Sequence, residues 1–175
     1  VLVVQIANGI LAFDSRTGKQ LWKKDGRISS LAAQGTRLAY HGGGKEIRGV
    51  DLRSGQLLWT SQLAVAGPLL ISDGTILAVS MPSMQTLSLD SGEIIWTNKK
   101  ANPKRRRGGQ HPGVYIVGGT IWVGYKGQRV DFATGKKLPS LDVKDLWSPQ
   151  HHHRCYTNKA TSKYVIGAME GMEFL

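Results

Sequence analysis

The stretch Ala12-Phe13-Asp14-Ser15-Arg16-Thr17-Gly18-Lys19-Gln20-Leu21-Trp22 decides how the rest of the chain reads. Its centre is a Thr-Gly pair, with an acid four residues before the glycine and a tryptophan four residues after it. The phrase returns as Asp51-Leu52-Arg53-Ser54-Gly55-Gln56-Leu57-Leu58-Trp59 and again as Ser88-Leu89-Asp90-Ser91-Gly92-Glu93-Ile94-Ile95-Trp96. A weaker copy, Asp131-Phe132-Ala133-Thr134-Gly135-Lys136-Lys137-Leu138-Pro139, keeps the turn and ends in proline. The glycines fall at 18, 55, 92 and 135, so the steps are 37, 37 and 43 residues. A period in this range marks a repeat architecture.

Short apolar runs fill the space between the copies. Leu2–Ile6 and Ile10–Phe13 flank Ala7-Asn8-Gly9, and Asn-Gly is a strong hairpin signal. Gln20–Lys23, Ile28–Ala33, Arg37–Tyr40 and Glu46–Leu52 read as further strands, with His41-Gly42-Gly43-Gly44 as a flexible connection. The order repeats over Leu69–Ser72, Thr75–Ser80 and Thr86–Leu89, then over Val114–Val117, Thr120–Tyr125 and Arg129–Phe132. No stretch of useful length has helical periodicity. The expectation is an all-β chain of four-stranded antiparallel blades, about three of them complete. Blade-sized sheets with two apolar faces are stable only when stacked, as in a β-propeller. The units fall near 1–25, 26–62, 63–99, 110–140 and 150–175 of one partial propeller spanning 1–175, with 99–109 as a basic loop insertion. Because propellers close with roughly 4–8 blades, and the chain opens on Val1, it reads as a piece of a longer protein.

Turn and seam chemistry explains the repeated residues. Gly18, Gly55, Gly92 and Gly135 supply the positive φ of a tight turn. Asp14, Asp51 and Asp131 can bond backbone amides across it, with Thr or Ser assisting. Trp22, Trp59 and Trp96 each cover a large apolar area at the seam between blades and offer one N–H to a carbonyl.

The phrase from Ala12 matches Ala-x-Asp-x-x-Thr-Gly-x-x-x-Trp, and the chain resembles the PQQ-repeat (pyrroloquinoline-quinone-like) β-propellers over roughly Leu2 to Phe132. That family includes quinoprotein alcohol dehydrogenases and non-enzymatic scaffolds, among them the outer-membrane assembly propeller. The resemblance implies a periplasmic or extracytoplasmic setting. Its enzymes use the quinone with calcium, a catalytic Asp and often a vicinal disulfide. Here the lone Cys155 excludes an internal disulfide, and the acids sit mostly in turns. The repeat therefore does not by itself imply quinone binding, and no cofactor is expected.

Composition bears on partners. The chain carries 23 Lys+Arg against 12 Asp+Glu, a net charge of +11. It has no apolar run long enough for a transmembrane helix. Where the spacing widens to 43, Lys99-Lys100-Ala101-Asn102-Pro103-Lys104-Arg105-Arg106-Arg107-Gly108-Gly109 forms a cationic loop. Lys104, Arg105, Arg106 and Arg107, together with Arg154, could contact an anionic partner. No aromatics interleave with them, so the stacking half of a single-strand nucleic-acid site is missing; a solvated loop is the plainer reading. In Trp147-Ser148-Pro149-Gln150-His151-His152-His153-Arg154-Cys155-Tyr156, extended geometry places His151, His153 and Cys155 on one face as candidate metal ligands. A structural or rim-lining polar loop is the plainer reading of them. The segment from His152 to Phe174 resembles one found in large bacterial PQQ-repeat proteins, where it introduces another blade.

These readings converge on a non-catalytic binding or scaffolding module, with the remaining blades of its own chain and a protein or anionic ligand as partners. The rival is a quinoprotein-type or metal-dependent oxidoreductase, with PQQ and calcium as its cofactors and its site at the His-Arg-Cys loop or outside this stretch.

Overall fold

The computed structural model describes residues 1–42, 44–63, 65, 67–80, 82–101, 113–123, 128–140, 159–161, 165–168 and 172–174. Every regular element among them is a strand. The first sheet holds β1 (Leu2–Ile6), β2 (Gly9–Phe13) and β3 (Gln20–Asp25) in sequence order. Next come β4 (Ile28–Gln34), β5 (Arg37–Gly42), β6 (Glu46–Asp51) and β7 (Leu57–Gln62), then β8 (Leu69–Ser72), β9 (Thr75–Val79), β10 (Met84–Ser88) and β11 (Ile94–Asn98). A third four-stranded sheet contains β12 (Val114–Val117), β13 (Thr120–Val123), β14 (Gln128–Asp131) and β15 (Lys137–Leu138). β16 (Lys159–Ala160), β17 (Val165–Ala168) and β18 (Met172–Phe174) form the last. The chain is all-β, and its sheets are antiparallel meanders of the β-propeller blade type.

The chain divides into two compact units, Val1–Thr97 and Asn98–Leu175. In the first, the cores lie between successive sheets. Ile10, Ala12 and Trp22 of one sheet pack with Ile28, Leu38, Tyr40 and Val50 of the next. Ala39, Ile47 and Trp59 then pack with Leu69, Ile76, Ala78 and Leu87. Neighbouring residues of β5 thus enter different cores: Leu38 and Tyr40 face backwards, Ala39 forwards. Period-2 alternation is what lets one thin sheet serve two seams.

Among the described residues the expected strands are present, with boundary shifts that have physical causes; the end of the expected Thr120–Tyr125 strand, residues 124–125, lies outside them. β2 begins at Gly9, leaving Ala7-Asn8 as a two-residue turn. The segment read as a flexible connection from His41 is corrected at its start: β5 runs through Gly42 and His41 is buried. Its imidazole is held by Ser29 and Val65, which a polar-and-glycine composition does not disclose. β15 is only two residues long because Pro139 has no N–H to extend the ladder.

Candidate functional site

Among the described residues, four turns are built alike. The glycine N–H donates to the residue four before it: Gly18 to Asp14 O, Gly55 to Asp51 O, Gly92 to Ser88 O and Gly135 to Asp131 O, all at 2.8–2.9 Å. The return bonds run from Asp14 N to Lys19 O, Asp51 N to Gln56 O, Ser88 N to Glu93 O and Asp131 N to Lys136 O. The four glycines have φ between +69° and +73°, where a Cβ is strained. Asp14 Oδ1 accepts the N–H groups of Arg16 and Thr17, and Asp51 Oδ1 those of Arg53 and Ser54. Asp131 Oδ1 accepts the Thr134 N–H and hydroxyl. These donors hold all three carboxyls below the ordinary Asp range. In the third copy Ser88 Oγ accepts one such bond, from Ser91 N at 3.2 Å. Asp90 is left to pair with Arg37 at 3.1 Å.

The tryptophans act one blade further on. Trp22 Nε1 donates to Leu52 O at 3.0 Å, and Trp59 Nε1 donates to Leu89 O at 2.9 Å. Both acceptors lie in the turn of the following blade. The indoles then cover the turn glycines: a Cβ on Gly55 would stand 2.8 Å from two Trp22 ring atoms. On Gly92 it would meet the Trp59 ring more closely still. Gly18, which no tryptophan covers, has nothing within 4 Å of its would-be Cβ. Each tryptophan also lies over its own sheet. Gly49 pairs with Trp59 and has no room for a Cβ beneath the ring, and Ala12 fills the same position beside Trp22. Trp96, on β11, is half-buried.

The fourth copy shows what replaces a tryptophan. Two residues before Asp131, where Ala12 and Gly49 stand in the first two copies, the chain has Arg129. Its Nε and Nη2 both donate to Pro139 O, at 2.9 and 2.7 Å, and its guanidinium stacks over Trp122 at 5.7 Å. Loss of the ring opens space over the small position, and a long side chain takes it. The sequence held that signal, since Arg129 and Pro139 are the two departures from the repeat in one copy.

His41 was missed in the sequence. The Val65 N–H donates to its Nε2 at 3.4 Å, which leaves the proton on Nδ1, donating to Ser29 Oγ. The Ser29 hydroxyl in turn donates to His41 O at 3.3 Å. Burial lowers the imidazole below its ordinary range, partly offset by the backbone of Gly44.

Lys104, Arg105, Arg106, Arg107, His151, His153, Arg154 and Cys155 lie outside the described residues. Among the described residues, no three His, Cys, Asp or Glu side chains converge as a metal site. The carboxylates of Asp14, Asp51 and Asp131 are each engaged by donors of their own turn. No helix among the described residues is long and apolar enough to cross a membrane.

Residues 7–146 match the family model PQQ_2, described as outer membrane protein assembly factor BamB. The chain belongs to this PQQ-repeat family. A search among curated proteins finds no match by sequence. Solved structures share the fold. BamB from Moraxella catarrhalis is 18% identical with a TM-score of 0.61, covering 96% of this chain and 54% of its own. The computationally designed Ika8 protein is 14% identical with a TM-score of 0.63, covering 94% and 54%. The designed Ika4 protein is 14% identical with a TM-score of 0.59, covering 86% and 91%. This chain spans about half the length of the BamB structure.

Proposed function

We propose that this PQQ-repeat chain is a non-catalytic binding or scaffolding module. The observation that supports it is the use to which the repeat's polar groups are put. The turn carboxylates of Asp14, Asp51 and Asp131 are taken up by their own turn amides. The indole N–H groups of Trp22 and Trp59 are taken up by the next blade. These are bonds that make a stiff stack of sheets. A stiff stack presents loops and edges to a partner without reorganising, which limits the entropy lost on binding. Calorimetric titration of the full chain with pyrroloquinoline quinone and calcium tests the reading. No heat of binding is expected, and stoichiometric binding overturns it in favour of the oxidoreductase.

A second reading rests on charge. Residues 1–97 carry nine Lys/Arg and seven Asp/Glu, whereas 98–175 carry fourteen and five. Positive charge concentrated in one segment favours an anionic partner by long-range attraction. Retention on heparin should then fall steeply with salt, and substituting Arg105, Arg106 and Arg107 by Ala should reduce the salt slope.

A further inference from the structure

The outermost strand of each blade has a neighbour on one side only, and such edges template pairing with another chain unless they are blunted by lysine, by proline or by shortness. Two outer strands here are blunted. β3 carries Lys23 and Lys24; β15 is two residues long, contains Lys137 and runs into Pro139. β7 and β11 have no charge and no proline. Each opens instead on a pair of exposed aliphatic residues: Leu57 at 51% and Leu58 at 41%, Ile94 at 49% and Ile95 at 55%. A bulge produces the first pair. Val50 faces Leu57 and Gly49 faces Trp59, so Leu58 is the extra residue. The two pairs hold equivalent places on successive blades, which Trp59 joins by covering Gly92.

We infer that this edge docks an extended, uncharged apolar segment of a partner protein, which adds to β7 as a fifth strand and is flanked by Ile94 and Ile95. The inference rests on the scaffolding reading and gives it a surface. Area and charge argue against a second copy as the occupant. Four half-exposed aliphatic side chains offer on the order of 200 Å², against about 800 Å² per partner in a stable interface. Two chains of +11 also repel one another. A single strand needs little side-chain area, because main-chain hydrogen bonds supply much of its affinity. The same charge favours acidic residues flanking the docked segment.

The test is fluorescence anisotropy of the full chain with a fluorescein-labelled peptide of eight alternating Ile and Thr residues, with Asp at each end. Binding in the micromolar range is expected. Leu57→Lys and Ile94→Lys should each weaken it about tenfold or more (~1.4 kcal/mol), whereas Leu2→Lys, at an equally exposed residue on β1, should leave it unchanged. A peptide N-methylated at alternate residues along its pairing edge should not bind. Equal loss with Leu2→Lys, undiminished binding of the methylated peptide, or no binding at millimolar concentration overturns the inference. So does sedimentation showing that the chain pairs with itself through this edge. The quinone titration separates the two claims: quinone uptake with intact peptide docking refutes the scaffold reading and leaves the surface standing.

Discussion

Replacing Gly92 by alanine should cost far more than replacing Gly18, although both occupy the same position of the same turn. Their φ values are +73° and +70°, so backbone strain is common to both. Alanine in the left-handed region costs about 1–2 kcal/mol, offset by roughly 0.4–1 kcal/mol from the less flexible unfolded chain. Gly18→Ala, with open space around its Cβ, should therefore lose about 1 kcal/mol. At Gly92 the new methyl group meets the Trp59 ring. Moving the ring costs about 1–3 kcal/mol in overpacking, and disturbing its bond to Leu89 O about 1 kcal/mol more. Gly92→Ala should thus lose about 3–5 kcal/mol, with Gly55→Ala between the two because its contacts to Trp22 begin at 2.8 Å. Urea unfolding followed by far-ultraviolet circular dichroism reads the order directly. In a Trp59→Leu background the cost of Gly92→Ala should shrink towards that of Gly18→Ala, the signature of a coupled pair. Equal losses at Gly18 and Gly92, or a Gly92 cost unaffected by removing Trp59, would refute the idea that the indole rather than φ alone demands the glycine.

Other outcomes follow from titration and from the exceptional fourth copy. The carboxyls of Asp14, Asp51 and Asp131 are depressed in the fold, so their stabilisation is complete above the unfolded value near 3.8 and is lost as pH falls through the folded values. Asp51→Asn keeps the turn acceptor without the charge, and should show a shallower fall in urea midpoint between pH 4 and 2. His41 is also depressed, by burial, so its contribution is whole above its unfolded value of 6.5. That contribution declines as pH falls from there towards the folded value, because the unfolded chain takes up the proton first. The urea midpoint should drop between pH 7.5 and 5, and His41→Asn should drop less; an identical fall in both would show that His41 does not titrate on unfolding. Arg129→Lys retains charge but cannot donate twice in one plane to Pro139 O. It should lower stability by about 1 kcal/mol, and Trp122 fluorescence should change with it.

How much was legible follows from how local each interaction is. The turn from Asp14 to Gly18 closes within five residues, so its hydrogen bonds could be anticipated from residue types alone, and the same holds at Asp51, Ser88 and Asp131. Continuous apolar runs at Ile76–Val79 and Ile121–Val123, each bounded by turn residues, marked strands for the same reason. His41 was read wrongly because its partners, Ser29 and Val65, are 12 and 24 residues away, and nothing in His-Gly-Gly-Gly announces them. The apolar edge was equally hidden. Leu57 and Ile94 look like core residues in the sequence, and only strand order shows that nothing among the described residues covers them.

The sequence by itself therefore determined the repeat, the all-β class and the chemistry of each turn, because these depend on backbone preferences and contacts a few residues apart. Tertiary structure decided which turn each tryptophan latches, and why Gly49 and Gly92 have no room for a methyl group while Gly18 does. It also decided which outer strands stand bare. Those outcomes depend on the stacking of sheets whose contacting residues lie about thirty positions apart, as Trp59 and Leu89 do. At that separation spacing can suggest a partner, but packing alone places it.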